Sequence, residues 1–275
     1  MYFCPMSIVK AKKSLGQHFL KDQNIARKII DSLLPVTAEV LEIGPGMGVL
    51  TRHLLEQGIF AVKAIDIDQE SIAYLHNEFP SYHDRIIFGD FLKTDLSAWY
   101  SAPLSVIGNL PYNISSQIFF RIIENHQLVR QVVCMIQKEV AERITATHGN
   151  KTYGILSVFL QTFYNIEYLF TVSEKVFDPP PKVKSAVIRL TRNAREHLEC
   201  DENLFFRIVK AGFNQRRKTL RNSLRQILPP GFTSDELSLR PEQLSVEDFI
   251  RLTSEIGAFQ QLSLIHISEP TRRVV

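Results

Sequence analysis

Cysteine is scarce. The 275 residues hold three, Cys4, Cys134 and Cys200, far apart and without a C-x-x-C pair. That argues against a disulfide framework and a cysteine-based zinc site, and it fits a reducing compartment. Eight histidines are scattered with no H-E-x-x-H. No apolar run reaches the ~18 residues that a membrane span needs. The first nine residues carry apolar groups with no basic stretch before them, so a secretory leader is not expected. Internal repeats are lacking too. Acidic residues are nearly missing from two segments. Residues 10–28 carry six basic groups and one acid, Asp22, and residues 207–225 carry seven basic groups and no acid. A net charge of only +3 conceals this asymmetry. Two separated basic segments point to a polyanion partner, the plain alternative being two solvated faces. Hydrophobic residues make up 45% and charged residues 22%, enough for a buried core. A soluble cytoplasmic protein is the expectation.

What is present is an alternation. Ile25, Ile29, Ile30 and Leu33 give residues 24–34 a helical spacing that Pro35 closes. Apolar strands are expected at 40–43, 60–65, 85–88, 104–107 and 132–136. Helices are expected between and after them at 49–57, 69–77, 116–125 and 138–147. Near-continuous apolar strands alternating with helices imply an α/β fold, a parallel sheet covered on both faces. Residues 163–171 and 183–191 read as an antiparallel pair at the sheet edge. From 203 onward the sequence is helical, at 203–214, 217–228 and 246–258. The expected organisation is a basic arm at 1–20, a sheet domain at 21–194 and a helical domain at 195–262. The tail, 263–275, shows no clear period and reads as non-native or disordered. Met6 would serve as an alternative start.

Between the first strand and its helix lies Glu42-Ile43-Gly44-Pro45-Gly46-Met47-Gly48. Glycines let a backbone approach a ligand closely, and the helix N-terminus offers free N–H groups. Asp66 lies 22 residues past Gly44 at the end of the second strand, where a carboxylate can accept from two ribose hydroxyls. Asp90 ends the third strand. The loop is G-x-G-x-G with a proline inside, whereas a dinucleotide fingerprint is G-x-G-x-x-G. Glu42 would repel a pyrophosphate but suits a cationic ligand. S-adenosylmethionine is therefore favoured over NAD, and a tight turn without a ligand is the plain alternative.

The fourth strand exits through Asn109-Leu110-Pro111-Tyr112. Proline ends the ladder because it lacks an N–H, and it biases Leu110 toward an extended backbone. The result is a stiff bend with an amide on one side and an aromatic ring on the other, suited to a flat, hydrogen-bonding group.

Taken in order, Leu15-Gly16-Gln17-His18-Phe19-Leu20, Glu42-Ile43-Gly44-Pro45-Gly46, Asn109-Leu110-Pro111-Tyr112-Asn113, Gln137 to Arg143, Phe177-Asp178-Pro179-Pro180-Pro181-Lys182-Val183 and Phe213 to Thr219 resemble the small-subunit ribosomal RNA adenine N6,N6-dimethyltransferases. The likeness runs from about Lys10 to Gln261. It implies a seven-stranded, Rossmann-like S-adenosylmethionine-dependent sheet with a small all-α C-terminal domain. It implies as substrate two neighbouring adenosines in the 3′-terminal hairpin of small-subunit RNA, in an immature 30S-type particle. By the same resemblance His18 and Leu20 would touch the methionine end of the cofactor. Gly44 and Gly46 would lie beneath it, Asp66 would bind the ribose and Asp90 the adenine amino group, and Asn109 would border both cofactor and target. His18 stands where asparagine is commoner, which a backbone contact tolerates.

An adenine N6 amino group is a poor nucleophile because its lone pair is delocalised. Acceptors at Asn109 and at the Leu110 or Pro111 carbonyl would favour a tetrahedral nitrogen, and Pro111 would hold them in place. Tyr112 would stack on the base, and Phe177 would cover its other face, with packing under the proline-rich loop as the alternative for Phe177. No metal is needed. On a helix at 217–228, Leu220, Leu224, Ile227 and Leu228 form an apolar stripe. Arg217, Arg221 and Arg225, flanked by Arg216 and Lys218, would face the RNA backbone. The alternative for Phe213-Asn214 is packing of the helical domain onto the catalytic one. A monomer is expected. The competing readings are a large-subunit RNA methyltransferase that confers antibiotic resistance, and a non-catalytic RNA-binding factor on the same scaffold.

Overall fold

Residues 9–268 are described by the structure, a computed structural model. The expectations for residues 1–5 and 269–275 fall outside the described residues. Two compact units divide the chain: Met1–Glu142 with Phe163–Asn193, and Arg143–Thr162 with Ala194–Val275.

Along the first unit run β1 (Phe19–Leu20), α1 (Gln23–Ile30), β2 (Glu39–Ile43), α2 (Val49–Gln57), β3 (Ala61–Asp66), α3 (Gln69–Glu78), β4 (Ile86–Phe88), α4 (Leu96–Trp99), β5 (Leu104–Asn109), α5 (Ser115–Glu124) and β6 (Val129–Gln137). After α6 (Lys138–Thr145) and α7 (Ile155–Phe163) come β7 (Tyr164–Val172), β8 (Phe177–Asp178) and β9 (Ser185–Arg192). Seven strands form one sheet in the order β4-β3-β2-β5-β6-β9-β7. The first five are parallel, and β9 runs antiparallel to both β6 and β7. The expected edge pair is therefore present, with β9 as its inner member.

The chain winds outward from β2 to β4 on one side and from β5 to β6 on the other, so the order reverses between β2 and β5. Ligands bind at such a switch point, beyond the carboxyl ends of the strands. The two strands come close there because a Cβ on Gly108 would lie 2.4 Å from the Ile43 carbonyl oxygen, a space only glycine leaves open. Val106 and Ile107 of β5 and residues 132–136 of β6 are buried, as apolar residues on both faces of a covered sheet require. One sheet face packs Ala26, Ile29 and Ile30 of α1 and Leu50 and Leu54 of α2 against Val40, Val62 and Ile107. Asp22 fixes the start of α1 by accepting from the Asn24 and Ile25 N–H groups.

The second unit holds α7, α8 (Glu202–Asn214), α9 (Leu220–Ser223) and α10 (Val246–Ser268). Phe159 sits against Phe205 and Phe206, and Phe213 lies between Tyr153 and Phe249, with centroids 6.1 and 6.0 Å away. Phe213 thus packs inside the second unit. Residues 143–162 belong to this unit although their sequence lies between sheet strands. The helix expected at 217–228 is corrected to the four residues of α9. Thr219 is extended, Leu220 N–H donates to the Leu239 carbonyl, and the chain after Leu224 continues in turns. The last helix runs on to Ser268, past the expected 258.

Candidate active site

A cavity of about 330 Å³ opens at the switch point, walled by the arm, the glycine loop and the ends of β3 and β5. His18, Leu20, Gly44, Gly46, Asp66, Asp90, Asn109, Leu110, Pro111 and Tyr112 all line it.

The glycine loop bends under backbone angles that side chains resist: φ is +67° at Gly44 and +55° at Gly46. A Cβ at Gly46 would also stand 2.9 Å from the Phe19 ring of the arm. The Gly46 N–H donates to Asp66 Oδ2 at 3.2 Å and the Asp68 N–H donates to Asp66 Oδ1 at 2.9 Å, so both oxygens of that carboxylate are aimed. Burial lifts the Asp66 carboxyl above its ordinary range, and these hydrogen bonds partly offset it. Glu42 lies deeper, 1% exposed, accepting from Thr51 Oγ1 at 2.7 Å. Burial, with Asp66 adding a like charge, pushes its carboxyl up to about 7. Asp90 is half-buried and accepts from the Leu92 N–H at 3.0 Å.

Asn109 ends β5. Its Nδ2 donates to the His18 carbonyl at 2.9 Å, which assigns the amide and leaves Oδ1 as an acceptor. The Leu110 N–H donates to the Met135 carbonyl of β6 at 3.0 Å, tying the bend to the sheet. The His18 ring donates from Nδ1 to the Pro179 carbonyl at 2.7 Å and lies 5.5 Å from the Tyr112 ring.

Phe177 departs from the expectation. It is 1% exposed, pairs with Leu20 across the β1–β8 ribbon, packs in the core with Ile29 and Val187, and is not a wall of the cavity. An aromatic ring gains more from that burial than from a half-exposed edge.

Sequence reasoning missed a clasp. Lys12 Nζ meets Asp68 Oδ1 at 2.5 Å and Glu70 Oε1 at 3.0 Å, while Gln17 Nε2 donates to Asp68 Oδ2 at 3.1 Å. Burial works against the Asp68 charge, but the bonds from Lys12, Gln17 and Ser71 outweigh it and hold the carboxyl below its usual range. Asp68 therefore ties the arm to the same turn that aims Asp66. Its one sequence signal was an acid two residues after Asp66, placed to cap α3. Ile67 and Leu92, next to the two wall acids, add apolar surface for a flat ring.

The basic segment of the second unit is less uniform than expected. Arg216 donates to the Lys151 carbonyl. Arg221 borders a groove with Asp235, Glu236 and Glu255. Arg217, Lys218 and Arg225 are exposed and carry no ion pair among the described residues. Arg217 and Lys218 precede α9 and Arg225 follows it, so the three do not share a single helix face.

Among the described residues no helix is long and apolar enough to cross a membrane, and no group of three or more His, Cys, Asp or Glu could hold a metal ion.

The family described as ribosomal RNA adenine dimethylase matches residues 8–256. The chain is 58% identical over 256 residues to a ribosomal RNA small subunit methyltransferase A from Cytophaga hutchinsonii, covering 92% of this chain and 99% of that protein. It is 56% identical to the protein of the same name from Parabacteroides distasonis, covering 90% and 94%. Among solved structures it resembles a dimethyladenosine transferase from Plasmodium falciparum, with a TM-score of 0.74 at 26% identity over 90% of this chain and 98% of that one. The 23S rRNA methyltransferase ErmE superposes with a TM-score of 0.63 at 27% identity, over 87% and 99%.

Proposed function

The chain belongs to the ribosomal RNA adenine dimethylase family, and from that premise we propose that it transfers methyl groups from S-adenosylmethionine to the N6 amino groups of two adjacent adenosines. Their place is the 3′-terminal hairpin loop of small-subunit RNA, within an immature particle in the cytoplasm, and the enzyme acts as a monomer. The observation that carries the reading is Asn109. Its Nδ2 donates to the His18 carbonyl, which leaves Oδ1 as an acceptor, and Asn109 lines the same cavity as Asp66 and Glu42.

The donor set fits S-adenosylmethionine. Asp66 would hold the ribose hydroxyls and Asp90 the adenine amino group, with Ile67 and Leu92 beside the ring. His18 and Leu20 would meet the methionine end over Gly44 and Gly46. Glu42, buried with its carboxyl pushed up to about 7, would ionise beside a bound cation and so supply the negative charge that it needs. When bound, the cofactor supplies an electrophilic methyl group on a sulfonium. Asn109 Oδ1 accepts an N6–H of the target, and a carbonyl at Leu110 or Pro111 accepts the other. Both draw the nitrogen toward a tetrahedral form and free its lone pair. Pro111 keeps these acceptors from relaxing, and Tyr112 stacks on a base that has left its loop stack. A second transfer requires the monomethyl product to rotate and rebind.

Two further results are expected. Glu42 holds a proton in the fold that the unfolded chain releases, between 4.5 and about 7. Its contribution to stability is therefore full at low pH and is lost as pH rises through about 7, on the order of 3 kcal/mol. A bound cation favours the ionised form, so cofactor affinity should rise from about pH 6 to about pH 8. Calorimetric titration of wild type and Glu42→Gln checks it, the variant binding weakly and without the pH slope. Lys12→Ala should loosen the arm and speed cofactor release several-fold, leaving the chemical step in single turnover near wild type. Release at the wild-type rate would remove the clasp from cofactor retention.

RNA affinity should fall steeply with salt through Arg217, Lys218 and Arg225. Filter binding at two ionic strengths reads the slope, and replacing all three should flatten it. The reaction itself is tested by transfer of labelled methyl to immature small subunits, mapped by nuclease digestion. Label recovered as N6,N6-dimethyladenosine in the 3′-terminal hairpin supports the proposal. Label confined to large-subunit RNA, or none with cofactor bound, overturns it.

A further inference from the structure

Tyr112 is fixed by more than its own turn. Its hydroxyl lies 2.5 Å from Ser185 Oγ. Ser185 is fully buried as the first residue of β9, where its backbone is paired with Gln137 of β6 on one side and Val172 of β7 on the other. A strand end held between two strands is a firm anchor, since it does not move with the loops around the cavity. Ser185 is not a wall of that cavity, whereas Tyr112 is. The ring is therefore held at its hydroxyl end by the sheet and bordered by His18, which the Pro179 carbonyl holds in turn.

A stacking platform helps an in-line displacement only if its place is set before the base arrives. Productive geometry tolerates only roughly 0.5 Å and 10–20°, and a tyrosine can rotate about two side-chain bonds. The Pro111 turn directs the Cα–Cβ bond of Tyr112 but leaves those two rotations open. A hydrogen bond at the far end of the ring removes the first, the swing of the ring axis, while the turn about that axis is limited by the His18 ring 5.5 Å away.

We propose that Ser185 is a positioning residue for methyl transfer, fixing through the Tyr112 hydroxyl the place of the ring on which the target adenine stacks. This rests on Tyr112 being that platform. Ser185 touches neither adenine nor cofactor, so removing it should misplace the amino group without weakening cofactor binding. The effect should belong to the hydrogen bond, not to either residue alone.

The test is a double-mutant cycle in the full chain with Ser185→Ala, Tyr112→Phe and both together. Single-turnover rate, KM for immature small subunits, cofactor Kd and melting temperature are measured for each, with Tyr112→Ala alongside. Each single variant is expected to lower the rate about 5- to 30-fold, with cofactor Kd unchanged, and the pair should be no slower than the slower single. If Ser185→Ala multiplies its effect in the Tyr112→Phe background, or keeps the wild-type rate, the proposal is overturned. Should Ser185→Ala fail to fold, Tyr112→Phe reads the same bond from its other end, and full activity there overturns it equally. Full activity of Tyr112→Ala would instead sink the platform itself, a separate result.

Discussion

Asn109→Ala should reduce methyl transfer by about 10²- to 10³-fold while leaving RNA and cofactor affinities within a few-fold of wild type. The asparagine amide has two ends with two duties. Nδ2 donates to the His18 carbonyl at 2.9 Å, which aims the group, and Oδ1 remains for the N–H of the target. An acceptor that matters only as the nitrogen becomes tetrahedral stabilises the transition state and not the bound base, so the loss falls on the rate and not on KM. Asn109→Asp sharpens the test. It keeps acceptor oxygens but turns one toward the His18 carbonyl, an acceptor facing an acceptor, so it too should be slow. Single-turnover transfer to immature small subunits is the measurement, with filter binding as control. Transfer by Asn109→Ala at even half the wild-type rate would falsify the mechanism.

Asp66→Ala should weaken cofactor binding by about 10- to 100-fold, the range for charge-assisted hydrogen bonds to a buried carboxylate. Two losses combine. The ribose hydroxyls lose their acceptor, and the Gly46 and Asp68 N–H groups lose theirs, so the glycine loop and the start of α3 are no longer tied together. Asp66→Asn is not a mild change, because its amide must present an NH₂ to one of those two N–H donors. Both variants should recover much of their rate at high cofactor concentration, since Asp66 does not touch the amino group that reacts. Calorimetry gives the affinity, and rate against cofactor concentration gives the recovery. A Kd equal to wild type would remove Asp66 from the ribose, and a rate that stays low at saturation would move it into the chemistry.

The wall residues were legible because each sits where a local rule points. Gly44 and Gly46 follow a strand and open a helix, and Asp66 and Asp90 close the next two strands. Asn109 and Tyr112 flank a proline that must end a ladder. Phe177 was misread for a reason of the same kind. Three prolines after it suggested a ring held over the base, with packing as the alternative, and the ring lies in the core with Leu20. Asp68 looked like an ordinary cap of α3, and its partner Lys12 is 56 residues away.

What the sequence determined alone is whatever depends on near neighbours. That includes the alternation of apolar strands and helices, the backbone freedom of the glycine loop, the stiffness of Asn109-Leu110-Pro111-Tyr112, and the motifs that carry the family. The tertiary structure decided the rest, because those features depend on which distant residues share a space. Residues 143–162 joined the helical unit, since side chains such as Phe159 find their apolar partners there. The helix foreseen at 217–228 shrank to α9 once Leu220 was drawn to Leu239. Ser185, 73 positions beyond Tyr112, met its hydroxyl only because β9 is inserted between β6 and β7. Local patterns set conformation one turn or strand at a time, whereas a hydrogen bond across the sheet exists only after the strands have been ordered.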